Sequence, residues 1–182
     1  MTKRALFALS FAIIVSFTAC SDSSQGKSGK ESDSQKIQQQ ADGTISLDIR
    51  KASVYKSPVD PANNTAEWDF IVSKAGRYNV WLSTATIDTM NLQYAGAVRI
   101  NLLDDRLEGR PVGDKIVLDA SEVKYPYYRA DSYMGTFYIQ EPGEYSIQVI
   151  SEKAIPASEE VKVNSSDSPA RLMSVILTPK TR

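Results

Sequence analysis

The chain has 182 residues, with 21 basic and 22 acidic side chains and a net charge of −1. That balance gives no basic surplus for holding nucleic acid. It has no histidine and a single cysteine, which removes Ser-His and Cys-His nucleophile pairs, thiolate metal clusters and any internal disulfide.

Met1 to Arg4 carries two positive charges, and Ala5 to Phe17 is uncharged and mostly apolar. Thr18 and Ala19 then lead into Cys20, the layout of a secretory signal peptide. The ending resembles a bacterial lipoprotein signal, which implies cleavage after residue 19 and lipidation of Cys20. The apolar run reaches only about 20 Å as a helix, short of the roughly 30 Å of a hydrocarbon core. Ser21 is not the aspartate that resembles an inner-membrane retention signal. A lipid anchor in the cell envelope, at the outer membrane, is the expectation.

Residues 20–43 are dominated by Ser, Gln, Lys, Gly and acids, and Ile37 is their only large apolar side chain. Such a segment buries too little surface to offset its ordering entropy. It reads as a flexible linker, placing the folded domain at 44–182.

From Thr44 onward the pattern is short alternating runs broken by Gly, Pro, Asp and Asn. Strands are expected near 44–50, 66–73, 76–84, 96–103, 115–118, 133–140, 143–151 and 171–178, with short ones near 52–55 and 160–163. No stretch keeps a 3.6-residue apolar period for three turns. The expectation is an all-β jelly-roll sandwich of about eight strands. One internal echo supports it. Residues 69–82 and 136–149 align without a gap, matching Phe70 with Phe137, Val72 with Ile139, Gly76 with Gly143, Tyr78 with Tyr145, Val80 with Ile147 and Leu82 with Val149. Each is a strand, a glycine turn and a second strand. Alternation puts each set on one buried face. Whether each unit is a hairpin or is divided between sheets stays open.

The run Lys74 to Leu82, the run Gly135 to Val149 and the run Ala170 to Pro179 resemble strands of galactose-binding-like jelly rolls. That group includes carbohydrate-binding modules of families 6 and 35. The resemblance implies a non-catalytic carbohydrate-binding domain. Many such modules hold a structural calcium through acids in the first and last strands. Here Asp48 stands alone in the first and Ser174 takes the place of an acid in the last, so neither metal nor other cofactor is expected.

All nine tyrosines lie beyond the signal, and a ring with a polar rim suits a half-wet binding surface. Three places could contact a glycan. The loop after 84 offers Asn91 and Tyr94 beside Gln93. The run 121–133 offers Tyr125, Tyr127, Tyr128, Arg129 and Asp131, with Tyr133 closing it. The outer face of the strand at 76–84 offers Trp81, either exposed or covered. The expected partners are a glycan and, through the lipid, a membrane. The alternative is a structural or protein-interaction envelope lipoprotein that docks a protein partner with the same sandwich.

Overall fold

A computed structural model describes residues 36–158 and 170–181. The signal peptide, Cys20, the linker up to residue 35 and the strand expected near 160–163 lie outside the described residues.

Eleven strands in two sheets make up the described fold. They are β1 (Ile37–Gln38), β2 (Ile45–Asp48), β3 (Ser53–Tyr55), β4 (Thr65–Val72), β5 (Gly76–Thr86), β6 (Val98–Leu102), β7 (Asp105–Gly109), β8 (Lys115–Val117), β9 (Tyr128–Ile139), β10 (Gly143–Ile150) and β11 (Arg171–Pro179). Sheet A has the order β1-β4-β10-β6-β7, with β3 also on β4; sheet B has the order β2-β11-β5-β9-β8. The all-β jelly-roll expectation holds.

The two echoed units supply the centre of both sheets. Neither is a hairpin. The first sends β4 into sheet A and β5 into sheet B; the second sends β9 into sheet B and β10 into sheet A. Each strand then pairs with the other unit. Val72 lies opposite Gly143 and Gly76 opposite Ile139; Phe70 lies opposite Tyr145 and Tyr78 opposite Phe137. Exchanging each residue for its echo reproduces the pairing, so the units are related by an approximate two-fold. The hydroxyls repeat as well. Tyr145 donates to the Glu141 carbonyl at 2.7 Å and Tyr78 to the Lys74 carbonyl, each four residues upstream across its own turn.

The alternating faces meet in the core. Phe70, Val72, Tyr78, Val80 and Leu82 are buried, as are Phe137, Ile139, Ile147 and Val149. Tyr145 is half-buried and stacks on Phe70 with ring centroids 6.0 Å apart. Trp68 lies in the same layer, its indole N–H donating to the Asp48 carbonyl at 2.7 Å. A ring that large buries apolar area while its one polar atom keeps a partner.

Two strands escape the sequence pattern. β7 reads Asp105-Arg106-Leu107-Glu108-Gly109, with a single apolar residue. It forms because it pairs along β6 and lays Leu107 against β9. β1 falls inside the segment read as linker, so order begins earlier than residue 44. Ile37 is buried beside β4, which β1 joins in parallel. Gln39 then takes part in five side-chain hydrogen bonds: its amide nitrogen donates to the Gly43 carbonyl and the Tyr78 hydroxyl, both at 2.7 Å. Its oxygen accepts from the Ser73 amide and hydroxyl and the Lys74 amide. One apolar residue and one saturated amide thus order a stretch whose composition argues for disorder.

The pairing of β5 with β9 contains an irregularity that matters for function. Val80 lies opposite Gly135, but Trp81 lies opposite Tyr133, leaving Met134 as an extra residue. A bulge of this kind shifts the inside–outside parity of everything beyond it. Met134 is buried, and Tyr133 turns outward. Gly135 sits at the bulge with φ +135°, and a Cβ there would lie 2.8 Å from Leu107 Cδ2. Gly135→Ala is therefore expected to destabilise the fold by about 1–3 kcal/mol in urea unfolding. Gly96→Ala, where a Cβ meets nothing within 4 Å, should change stability little. Adding Leu107→Ala to Gly135→Ala should remove the part of the penalty due to the clash.

Candidate functional site

β5 and β9 run side by side through sheet B, and their outward side chains form a strip along the outer face. At one end Arg77 lies opposite Tyr138, with the guanidinium carbon 5.8 Å from the ring centroid. Next come Asn79 and Thr136, joined by a hydrogen bond of 3.2 Å from the threonine hydroxyl to the amide oxygen. Trp81 and Tyr133 follow, with ring centroids 5.3 Å apart and planes inclined at 57°. The Tyr133 hydroxyl returns to the Thr136 hydroxyl at 2.9 Å. On β11, Thr178 and Ile176 lie opposite Asn79 and Trp81. The result is two adjoining rings bordered by hydroxyls and an amide.

Trp81 is half-buried, and Tyr133 is 45% exposed. Trp81 is therefore neither bare nor hidden: Tyr133 covers one side of it. The Asp114 carboxylate fixes the position of Tyr133 by accepting from its backbone N–H at 2.7 Å. Strict alternation from Phe137 would aim Tyr133 into the core, and the bulge at Met134 reverses that. The sequence signal for this was Gly135, a glycine inside an otherwise regular strand.

Beyond the rings the strip becomes ionic. The buried Asp131 carboxylate accepts from the Ser83 hydroxyl at 2.7 Å and from Arg129 through two parallel bonds of 3.0 Å. Arg129 also donates to Glu122 at 3.1 Å. This forked pairing is the strong geometry for a guanidinium and a carboxylate. Its hydrogen bond to Asp131 holds the Arg129 guanidinium above its ordinary pKa despite partial burial. Asp48, at the other edge of sheet B, is held below the usual carboxylate value by Arg50, which bonds it through the side chain. The carboxylates of Asp48, Glu122 and Asp131 are thus all engaged by guanidinium groups.

The Glu122–Arg129 bond ties down the loop between β8 and β9, which carries the other tyrosines. Tyr125 projects from it with 90% of its surface exposed. Tyr127 and Tyr128 are half-buried, and the Tyr127 amide closes a turn onto the Lys124 carbonyl at 3.0 Å. The cluster read from sequence is therefore divided: Tyr125 faces water, Arg129 and Asp131 act as a brace, and Tyr133 joins Trp81.

The loop between β5 and β6 behaves differently. Asn91 is exposed, but its side-chain oxygen accepts from the Gln93 amide at 2.9 Å and stabilises that turn. Tyr94 does not reach the surface. Its ring is in the core at 3% exposure, and its hydroxyl meets that of Thr84 at 2.9 Å. It cannot stack on a ligand in this position. The spacing showed a tyrosine in a long loop; it did not show that the loop folds inward through Leu92 and Tyr94.

No protein-family sequence profile matches the chain, and no curated protein matches it. Among solved structures, the chain is similar to the α-L-fucosidase of Vibrio sp. strain EJY3, with TM-score 0.62 and 20% identity over 80% of this chain and 24% of the fucosidase. It is more distantly similar to the Podospora anserina GH26-CBM35 β-(1,4)-mannanase, with TM-score 0.46 and 13% identity over 78% of this chain and 28% of that one. The insecticidal crystal protein Cry2Aa gives TM-score 0.46 and 11% identity over 75% of this chain and 21% of that one. The chain spans about a quarter of the length of these proteins. The fucosidase likeness supports the class defined by the strand order, a jelly-roll β-sandwich.

Burial raises the Tyr94 pKa above its ordinary value of 10. The folded state therefore resists ionising this hydroxyl while the unfolded chain does not. Its contribution to stability is complete below pH 10 and is lost as pH rises toward the folded-state value. Tyr94→Phe should cost about 1–2 kcal/mol at pH 7 through the lost hydrogen bond to Thr84. That deficit should shrink by about 1.4 kcal/mol per pH unit above 10, as read by urea unfolding at pH 7 and pH 11.

Proposed function

We propose that this domain binds a carbohydrate without turning it over, on the outer face of sheet B around Trp81 and Tyr133. The observation that carries the reading is the pairing of these two rings on an open sheet face, bordered by Asn79, Thr136 and the Tyr133 hydroxyl. A ring takes the C–H face of a sugar, and fixed hydroxyl and amide groups set its orientation. The hydrogen bonds among Tyr133, Thr136 and Asn79 order these groups beforehand, which reduces the entropy lost on binding. Tyr125 offers a further exposed ring on the loop braced by Arg129 and Asp131.

Binding without chemistry fits the residues at hand. Of the carboxylates along this strip, Asp114 accepts from the Tyr133 backbone amide and Asp131 and Glu122 both bond Arg129, and the chain has no histidine to act as a base near neutral pH. The sandwich would work as a tethered module of the bacterial envelope, held at the outer membrane by lipid on Cys20. Two or more acyl chains anchor stably where one does not.

Affinity electrophoresis of the protein through gels containing soluble polysaccharides tests the binding. At least one gel should retard it. Trp81→Ala and Tyr133→Ala should each weaken that retardation by about 1–3 kcal/mol with little change in unfolding midpoint. Tyr55→Ala, exposed on sheet A, should not. Unretarded migration through every neutral and acidic polysaccharide would sink the reading. For the anchor, Cys20→Ser should move the protein from the membrane fraction to the soluble one.

A further inference from the structure

The approximate two-fold gives each outward position on β5 an equivalent on β10, and the two faces can be compared residue by residue. Arg77 corresponds to Glu144, and Tyr138 corresponds to Ile71. On sheet A the charge is neutralised: Glu144 accepts from Lys36 at 2.6 Å. On sheet B it is not. Among the described residues Arg77 has no carboxylate partner and lies on the Tyr138 ring, itself 57% exposed. The equivalent positions of the two faces thus carry opposite charges in different surroundings, an acid on a lysine in one and a cation over a ring in the other.

Two more cations share the face. The Lys180 amide donates to the Arg77 carbonyl at 2.8 Å, which places Lys180 beside Arg77 just past the end of β11, and it is exposed. Lys115 on β8 pairs in register with Asp131 and is exposed. Neither has an ion pair among the described residues. The acids of the same face are all in use: Asp48 on Arg50, Asp131 and Glu122 on Arg129, and Asp114 on the Tyr133 amide. Arg50, Arg77, Arg129, Lys115 and Lys180 set against these four carboxylates leave one excess positive charge, and Arg77 lies at the end of the strip away from the Arg129 cluster.

Arg77 lies four residues from Trp81, about 13 Å along β5, with Asn79 between them. A guanidinium whose neighbour is a ring rather than a carboxylate keeps N–H groups for a ligand, and its fork matches a carboxylate or sulfate in two-point geometry. We infer that the glycan taken by this face is an acidic one, its chain lying along β5 and β9 with an anionic group on Arg77 and Lys180. This rests on the glycan-binding reading and specifies the ligand class.

The test compares polygalacturonate with its fully methyl-esterified form, the same backbone without charge, by titration calorimetry on the full-length protein. The charged polymer should bind at least tenfold more tightly, and the difference should narrow between 50 and 500 mM salt. Arg77→Gln should lose about tenfold on the charged polymer and nothing on the ester, with an unchanged unfolding midpoint; Lys180→Gln should add to the loss. Dextran sulfate in a parallel titration distinguishes sulfate from carboxylate as the preferred anion. Equal affinity for the acid and the ester would overturn the inference while leaving glycan binding intact, as would an Arg77→Gln protein that binds both acidic polymers like the parent. Should neutral glycans bind through Trp81 and neither acidic polymer bind, the inference again falls alone. Failure of every neutral and acidic polymer would remove both.

Discussion

The cross-pairing of two similar strand–turn–strand units is the constraint on which the rest of this structure depends. Both strands of each unit carry their apolar side chains on one face. Folded back as a hairpin, a unit would present five large residues on one side of a ribbon with nothing to cover them. Divided between sheets, each unit instead supplies half of a core that the other unit closes. The register of β4 on β10 and of β5 on β9 then follows, because a slip by one residue would turn Phe70 or Tyr78 outward. The repeated tyrosine hydroxyls tie each glycine turn to its own second strand and hold the crossing between sheets.

The outer face of sheet B inherits its geometry from that clasp. β5 and β9 are central, long and antiparallel, so their outward side chains form a continuous strip on a rigid support. The bulge at Met134 departs from the two-fold and brings Tyr133 beside Trp81. On sheet A the residue equivalent to Trp81 is Gln148, and no ring lies opposite it. The two faces thus share a backbone plan and differ in chemistry. One is a polar face on which Glu144 is paired with Lys36; the other combines paired rings, hydroxyls and, among the described residues, an Arg77 without a carboxylate partner. A binding role for the second needs no departure from the fold, only side chains that the core does not dictate.

Residues with strict alternation were readable before any coordinates. Phe70, Val72, Tyr78 and Val80 pack as their parity requires, and Trp68 joins them. Local chemistry fails where a distant partner decides. Gln39 looks like linker until Ser73, Lys74 and Tyr78 come near it. Leu107 is one apolar residue in a charged run until Gly135 opens a place for it. Tyr94 and Tyr125 both sit in long loops with similar polar neighbours, and one is in the core while the other stands in water. The difference is the direction each loop takes across the end of the sandwich, which is set by contacts with β5, β8 and β9.

The sequence by itself determined an all-β sandwich, the core faces of its duplicated units and the absence of histidine- or thiolate-based chemistry, because these follow from period-two burial and from composition. Only the tertiary structure decided which tyrosines are surface and which are core, that Arg129 and Asp131 brace a loop, and that Tyr133 meets Trp81 on the same strip as Arg77 and Tyr138. Those outcomes depend on one bulge, on loop direction and on the pairing of β5 with β9, strands of different units whose partners lie far apart in sequence, none of which leaves a periodic trace in the chain.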